Sequence, residues 1–203
     1  MLLSWVTLRP TSRTVDSDVV VVAISLFHEL GLSELWIRFG SGKTYKDIPI
    51  HHISQMLGTQ HCEALPLFHA ITGCDVVSAM LGIGKKTAWN AWLAFPEVTK
   101  TFIAITQDLT SLSLDSQHMR IFKRWTVLTY SKNCHAESLN EARKLMFTHG
   151  IKSLDSIPPT KHAFFQHAKH ALLSAAFVWK QSLSKSPDIP NPSEWGWEWN
   201  TRV

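Results

Sequence analysis

Val19-Val20-Val21-Val22-Ala23-Ile24 is an unbroken apolar run dominated by β-branched side chains. Such side chains lose rotamer freedom in a helix and pack well on a pleated surface. A run without polar alternation fits a strand buried on both faces, as in a parallel sheet covered by helices. The run therefore predicts an α/β fold with a small, mostly parallel sheet in the N-terminal third. Glu34-Leu35-Trp36-Ile37-Arg38-Phe39 alternates like a second strand, Gly40-Ser41-Gly42-Lys43 reads as a turn, and residues 44–48 as a third strand. Leu2 to Leu8 is expected to form a further short strand, followed by a polar turn over Arg9-Pro10-Thr11-Ser12-Arg13.

The rest of the chain reads as largely helical. A short helix is expected over 25–32, ending at Gly31. Another follows Pro49 and stops at Gly58, and one over about 60–71 contains Pro66, where a kink or split is expected. Residues 85–94 place Ala88, Trp89, Trp92 and Leu93 at helical spacing, and Pro96 opens a helix to about 105. Thr106 to Ser116 is polar and loop-like, and helices near 117–130 and 137–148 follow. After Ile157-Pro158-Pro159, Thr160 is an N-cap for a long helix to about 183, with Phe164, Ala168, Ala171, Ala175 and Trp179 as its buried stripe. In the Pro-rich tail, Trp195, Trp197 and Trp199 alternate; docking on the long helix, or a hydrophobic end left by a truncated segment, is favoured over stacking on single-stranded bases. The expected division is 1–105, 106–185 and 186–203.

Composition narrows the setting. A hydrophobic fraction of 45% and nine tryptophans argue for a packed protein. A net charge of +4 with a pI of about 9.0 leans towards a polyanionic partner without a histone-like excess. The three cysteines are widely spaced and no CxxC occurs, which fits free thiols in a reducing intracellular compartment, with a nuclear setting compatible. No apolar run is long enough for a membrane span, and the short apolar start lacks the charged region of a signal peptide, so a soluble protein is expected. Nothing in the sequence sets the oligomeric state.

The chemistry concentrates between Thr72 and Ala88. Gly73-Cys74-Asp75 sets a carboxylate beside a glycine, where it can approach a hard cation without side-chain crowding; as an Asp in a turn it also reads as an N-cap. In Gly82-Ile83-Gly84-Lys85-Lys86-Thr87-Ala88, two glycines let backbone amides face an anion and a helix N-terminus adds partial positive charge. Lys85 and Lys86 add point charges suited to phosphates rather than base edges. The pattern is shorter than a P-loop, which argues against a nucleotide cradle, and its plainer alternative is an ordinary helix–turn–helix connection. Asp16 and Asp18 precede the valine run, where a solvated turn is the plainer alternative to a site. Zinc sites can be assembled on paper from His51, His52, His61 and Cys62, or from His162, His167 and His170; His167 and His170 share a helix face but no close cysteine or acidic partner completes their set, and surface or packing histidines are favoured.

Gly73-Cys74-Asp75 followed by Gly82-Ile83-Gly84-Lys85-Lys86-Thr87-Ala88 resembles the helix–hairpin–helix portion of the flap-endonuclease and 5′-nuclease family, within the PIN-like nucleases. Asp16-Ser17-Asp18 before the valine run is similar in order to that family's Asp-x-Asp pair, and the resemblance covers roughly residues 14 to 95. The chain is also similar to a group of uncharacterised animal proteins, some associated with mobile elements, through Leu65-Pro66-Leu67-Phe68-His69-Ala70, Pro158-Pro159-Thr160 and Trp195-Gly196-Trp197. The nuclease resemblance implies a truncated PIN-like core. Asp16, Asp18 and Asp75 would be catalytic ligands of Mg²⁺ or Mn²⁺. Gly82, Gly84, Lys85, Lys86 and Thr87 would hold a nucleic-acid backbone, DNA first, with a monovalent cation at the Gly82–Gly84 turn. Nothing before Asp16 is acidic, so the resemblance implies the C-terminal part of a nuclease domain with half the ligands of a two-metal centre absent. Two functions are therefore expected of such a chain: a metal-dependent nuclease-like domain, incomplete or inactive as encoded, or a non-catalytic nucleic-acid-binding or interaction remnant of a mobile-element protein.

Overall fold

In the computed structural model, which describes residues 11–109, 112–148, 150, 153 and 156–197, the valine run is a helix. Helix α1 spans Ser17–Leu26 and is N-capped by Asp16, whose side chain accepts from the Asp18 amide at 2.8 Å. Asp18 adds a second carboxylate in the positively polarised first turn. Four valines cost up to roughly 3 kcal/mol in a helix relative to alanine. The cap returns about 1 kcal/mol, and burial of Ile24 and Leu26 about 1.5–3 kcal/mol each.

Topology supplies the decisive reason. Strand β1, Thr11–Thr14, overlaps the stretch expected to be a turn and pairs parallel with β2, Trp36–Phe39, in the register Thr11↔Trp36 to Thr14↔Phe39. Parallel neighbours need a crossover of a dozen or more residues, and α1 is that crossover. The expectation of a mostly parallel sheet is corrected by β3, Lys46–Pro49, which pairs antiparallel with β2, so the three-stranded sheet is mixed, in the order β1-β2-β3. A turn at 40–45 joins β2 to β3, and a short turn can return the chain only antiparallel. Directly opposite each other, Arg38 and Asp47 form a bidentate pair at 2.8 and 3.0 Å. The strand expected over Leu2 to Leu8 lies outside the described residues.

Two compact units divide the chain, one up to Glu63 and one from Ala64. Helix α2, Ile50–Ile71, contributes its first part to one and its last turns to the other. Its backbone leaves helical geometry at Gly58 (φ 73°, ψ 162°), whereas Pro66 sits within the helix. In the first unit Ser54 donates to the Ile24 carbonyl at 3.1 Å, fixing α2 against α1, and Cys62 donates to the Ser54 carbonyl.

Among the described residues the regular structure of the second unit is helical: α3 Lys85–Ala94, α4 Glu97–Gln107, α5 Gln117–Tyr130, α6 Leu139–Thr148 and α7 Lys161–Leu172. Ser116 and Thr160 cap α5 and α7 by accepting from Met119 and Ala163 amides, each at 3.2 Å. Beyond Leu172 the coil widens to π-type turns over Leu173–Trp179, with the Lys180 amide reaching the Ala175 carbonyl. Trp195 packs edge-on to Phe177 (5.1 Å between centroids) and Trp197 lies over His170 (4.8 Å), so the described tail does dock on the long helix. Trp199 lies outside the described residues. No helix among the described residues is long and apolar enough to cross a membrane.

One aromatic chain runs through this unit. Phe68 meets Trp92 (4.8 Å), Trp92 meets Phe102 (5.6 Å), Phe102 meets both Trp125 (5.3 Å) and Phe122 (5.2 Å), and Phe122 meets Phe164 (5.0 Å). Five helices thus share one core, and Phe102 stands at its centre. Phe102→Ala is expected to lower unfolding free energy by about 3–5 kcal/mol, whereas Leu93→Ala, at an exposed position, stays within about 0.5 kcal/mol of the parent. Urea denaturation followed by tryptophan fluorescence checks both.

Candidate functional site

The loop over residues 72–84 joins α2 to α3 and carries the residues singled out from the sequence. It closes on itself. Thr72 turns its hydroxyl back to the Phe68 and His69 carbonyls (2.7 and 3.2 Å), and the Gly73 amide bonds the Ala70 carbonyl, ending the helix. Gly73 takes φ 102°, and a Cβ there would stand 2.7 Å from the Ala79 Cβ and 2.9 Å from its Cα. Only glycine allows that conformation and that approach together. The Cys74 amide donates to the Val77 carbonyl at 2.9 Å, and Val77 and Met80 bury their side chains beneath the loop. A second turn follows, in which the Ile83 amide donates to the Met80 carbonyl at 3.0 Å and Gly82 adopts φ 74°. Tyr130, at the end of α5, donates its hydroxyl to the Leu81 carbonyl at 3.1 Å, and its own burial pushes the phenol up to about 12.

Gly84 is the N-cap of α3 and brings no side-chain acceptor to the helix's first amides. The amides of Lys86 and Thr87 are donors an anion would meet there, and the positive end of the helix dipole reinforces them. The two lysines play different parts. Lys85 directs its ammonium to the last turn of α2, donating to the His69 carbonyl (2.9 Å), the Thr72 hydroxyl (3.0 Å) and the Gly73 carbonyl (2.5 Å). An ammonium has three protons to donate, and these acceptors match them in number. Lys86 and Thr87 are exposed.

Each carboxylate singled out from the sequence has its own local setting. Asp16 holds the N-terminus of α1 through its Oδ1, and Asp18 lies in that helix's first turn. Asp75 is exposed at the head of the 72–84 loop. Asp16 and Asp18 belong to the first compact unit, Asp75 to the second. Among the described residues no three His, Cys, Asp or Glu side chains form a group able to hold a metal ion.

Several histidines serve the packing. His51 Nδ1 lies 3.2 Å from the Leu35 carbonyl, and His170 Nε2 donates to the Gly196 carbonyl at 2.8 Å. His167 donates from Nε2 to the Ile71 carbonyl at 2.8 Å, so it joins Lys85 in satisfying the end of α2. Burial, its main cause, holds the His167 pKa below the ordinary value of 6.5. Neither the Lys85 clip nor the Tyr130 and His167 bonds has a sequence signal: their partners lie up to 96 positions away and are plain backbone carbonyls.

Lys85→Ala removes a charged donor shared among three acceptors at an exposed position and is expected to destabilise the chain by about 0.5–1.5 kcal/mol, while Lys86→Ala changes stability by less than about 0.5 kcal/mol; equal effects in urea denaturation would contradict the clip. His167 binds its proton more weakly folded than unfolded. Its contribution is therefore complete above pH 6.5 and is lost as the pH falls through the lower folded value. His167→Gln is expected to flatten that acid limb relative to the parent, measured as unfolding midpoint against pH. Comparison with family models, curated proteins and solved structures gives no match for this chain.

Proposed function

We propose that the chain binds nucleic acid, DNA first, by gripping the phosphate backbone at Gly82–Thr87, and that it does so without cutting it. One observation carries this reading: the first turn of α3 has no side-chain cap and follows a loop tied down by Lys85 and Tyr130. A phosphate oxygen placed there would accept first-turn amides already aimed by the helix, with Lys86 and the Thr87 hydroxyl exposed alongside. Lys85 would act at one remove, by holding the start of α3 against the end of α2. Contacts of this kind fix position on a duplex and carry no base readout, so affinity would be independent of sequence and sensitive to salt. The net charge of +4 supports a polyanionic partner. The 5′-nuclease resemblance points to the same turn as the backbone contact, and with no three metal-ligating side chains grouped among the described residues the reading is binding without hydrolysis.

Fluorescence anisotropy with a labelled duplex at several salt concentrations tests the reading. Lys86→Ala is expected to weaken binding for every sequence and to reduce the slope of log affinity against log salt by about 1. Unchanged affinity and slope would overturn the backbone contact, and preference for RNA would redirect it. Incubation of flap and single-stranded substrates with Mn²⁺ is expected to give no cleavage by either the parent or Asp75→Ala. Cleavage by the parent that the variant lacks would overturn the non-catalytic part and restore a metal-dependent nuclease.

A further inference from the structure

A cleft of about 450 Å³ opens beside α5, lined by Phe95, Arg120, Ile121, Arg124, His135 and Glu137 among others. Its volume falls within the roughly 300–1,000 Å³ of small-ligand sites. Three elements build it. Phe95 closes α3; Arg120, Ile121 and Arg124 lie along one side of α5 at helical spacing; His135 and Glu137 come from the loop before α6. That loop is fixed to the helix, because Arg124 Nη1 donates to the Cys134 and Ala136 carbonyls at 2.6 and 2.8 Å, on either side of His135. The loop wall of this open cleft is therefore held against α5 before any ligand arrives. Arg120 is exposed and, unlike Arg124, is not tied to a backbone carbonyl among the described residues.

The lining selects the ligand class. Two guanidinium groups argue against a cation, and four ionisable side chains against a purely apolar guest. A bare anion would leave the Phe95 ring, the Ile121 side chain and the Glu137 carboxylate without a purpose. We propose that the cleft binds a phosphorylated heteroaromatic ligand, of which a nucleoside monophosphate is the simplest. The ring lies against Phe95 and Ile121, the phosphate meets Arg120 with Arg124 and His135 beside it, and Glu137 accepts from ribose hydroxyls or an exocyclic amine. This site is separate from the Gly82–Thr87 turn, and neither proposal depends on the other.

Calorimetric titration of the full chain with the four common ribonucleoside monophosphates, a nucleoside and inorganic phosphate tests it. At least one monophosphate is expected to bind saturably and about tenfold or more tighter than nucleoside or phosphate alone, and Arg120→Ala and Phe95→Leu are each expected to weaken it by about tenfold. Arg120→Glu should abolish it with the thermal midpoint retained, and Lys86→Ala should leave it unchanged. Absence of binding by all four, phosphate alone binding as tightly, or indifference to Arg120→Ala would each overturn the proposal. A short 5′-phosphorylated oligonucleotide binding tighter than the monophosphate identifies a strand end as the source of the ligand; equal or weaker binding identifies the free nucleotide. Weakened duplex binding in Lys86→Ala with monophosphate binding intact keeps the two readings distinguishable.

Discussion

The last turn of α2 ends in carbonyls that no later helical residue can satisfy, and the second unit is arranged around supplying their donors. Lys85 reaches them from the first residue of α3 and His167 from the middle of α7. Orphan carbonyls buried without partners would each forfeit on the order of 1–3 kcal/mol. A cation at a helix C-terminus also meets the negative end of the dipole. The consecutive helices α2 and α3 and the distant α7 are fixed to one another at this point, and the aromatic chain from Phe68 to Phe164 packs alongside. The candidate binding turn inherits its position from the same contact, since the residue that opens α3 is also the residue that closes α2.

Much of the helical unit was legible because its boundaries are set by neighbours in sequence. Ser116 and Thr160 carry their own acceptors to amides three residues on, and Pro96 and Gly58 impose their backbone preferences locally. The valine run is the instructive failure. Its side chains favour a strand by tenths of a kcal/mol each, but Asp16 caps it and the parallel pairing of β1 with β2 requires a crossover at that place. Topology outranks propensity there. The antiparallel β3 escaped for a related reason, since strand direction follows from connection length and not from the strand's own residues.

At the candidate site, Gly82, Gly84, Lys86 and Thr87 could be placed from the sequence because adjacency alone gathers them. Lys85 could be placed but not understood. Its neighbour has the same charge and both residues are exposed, and only the path of the chain brings the Lys85 ammonium to the carbonyls at the end of α2. The cleft beside α5 had no sequence signature at all: Phe95, Arg124 and His135 have unremarkable surroundings in the chain and meet only when α3, α5 and the following loop are assembled.

The contact of Gly73 with Ala79 has a kinetic consequence. With the two backbones this close and Lys85 bonded across the base of the loop, the 72–84 segment cannot swing out without also freeing the end of α2. Loop opening and helix fraying then form one cooperative event with a single protection factor for their amides. Any ligand held at the turn would slow hydrogen exchange well back along α2, at residues it never touches.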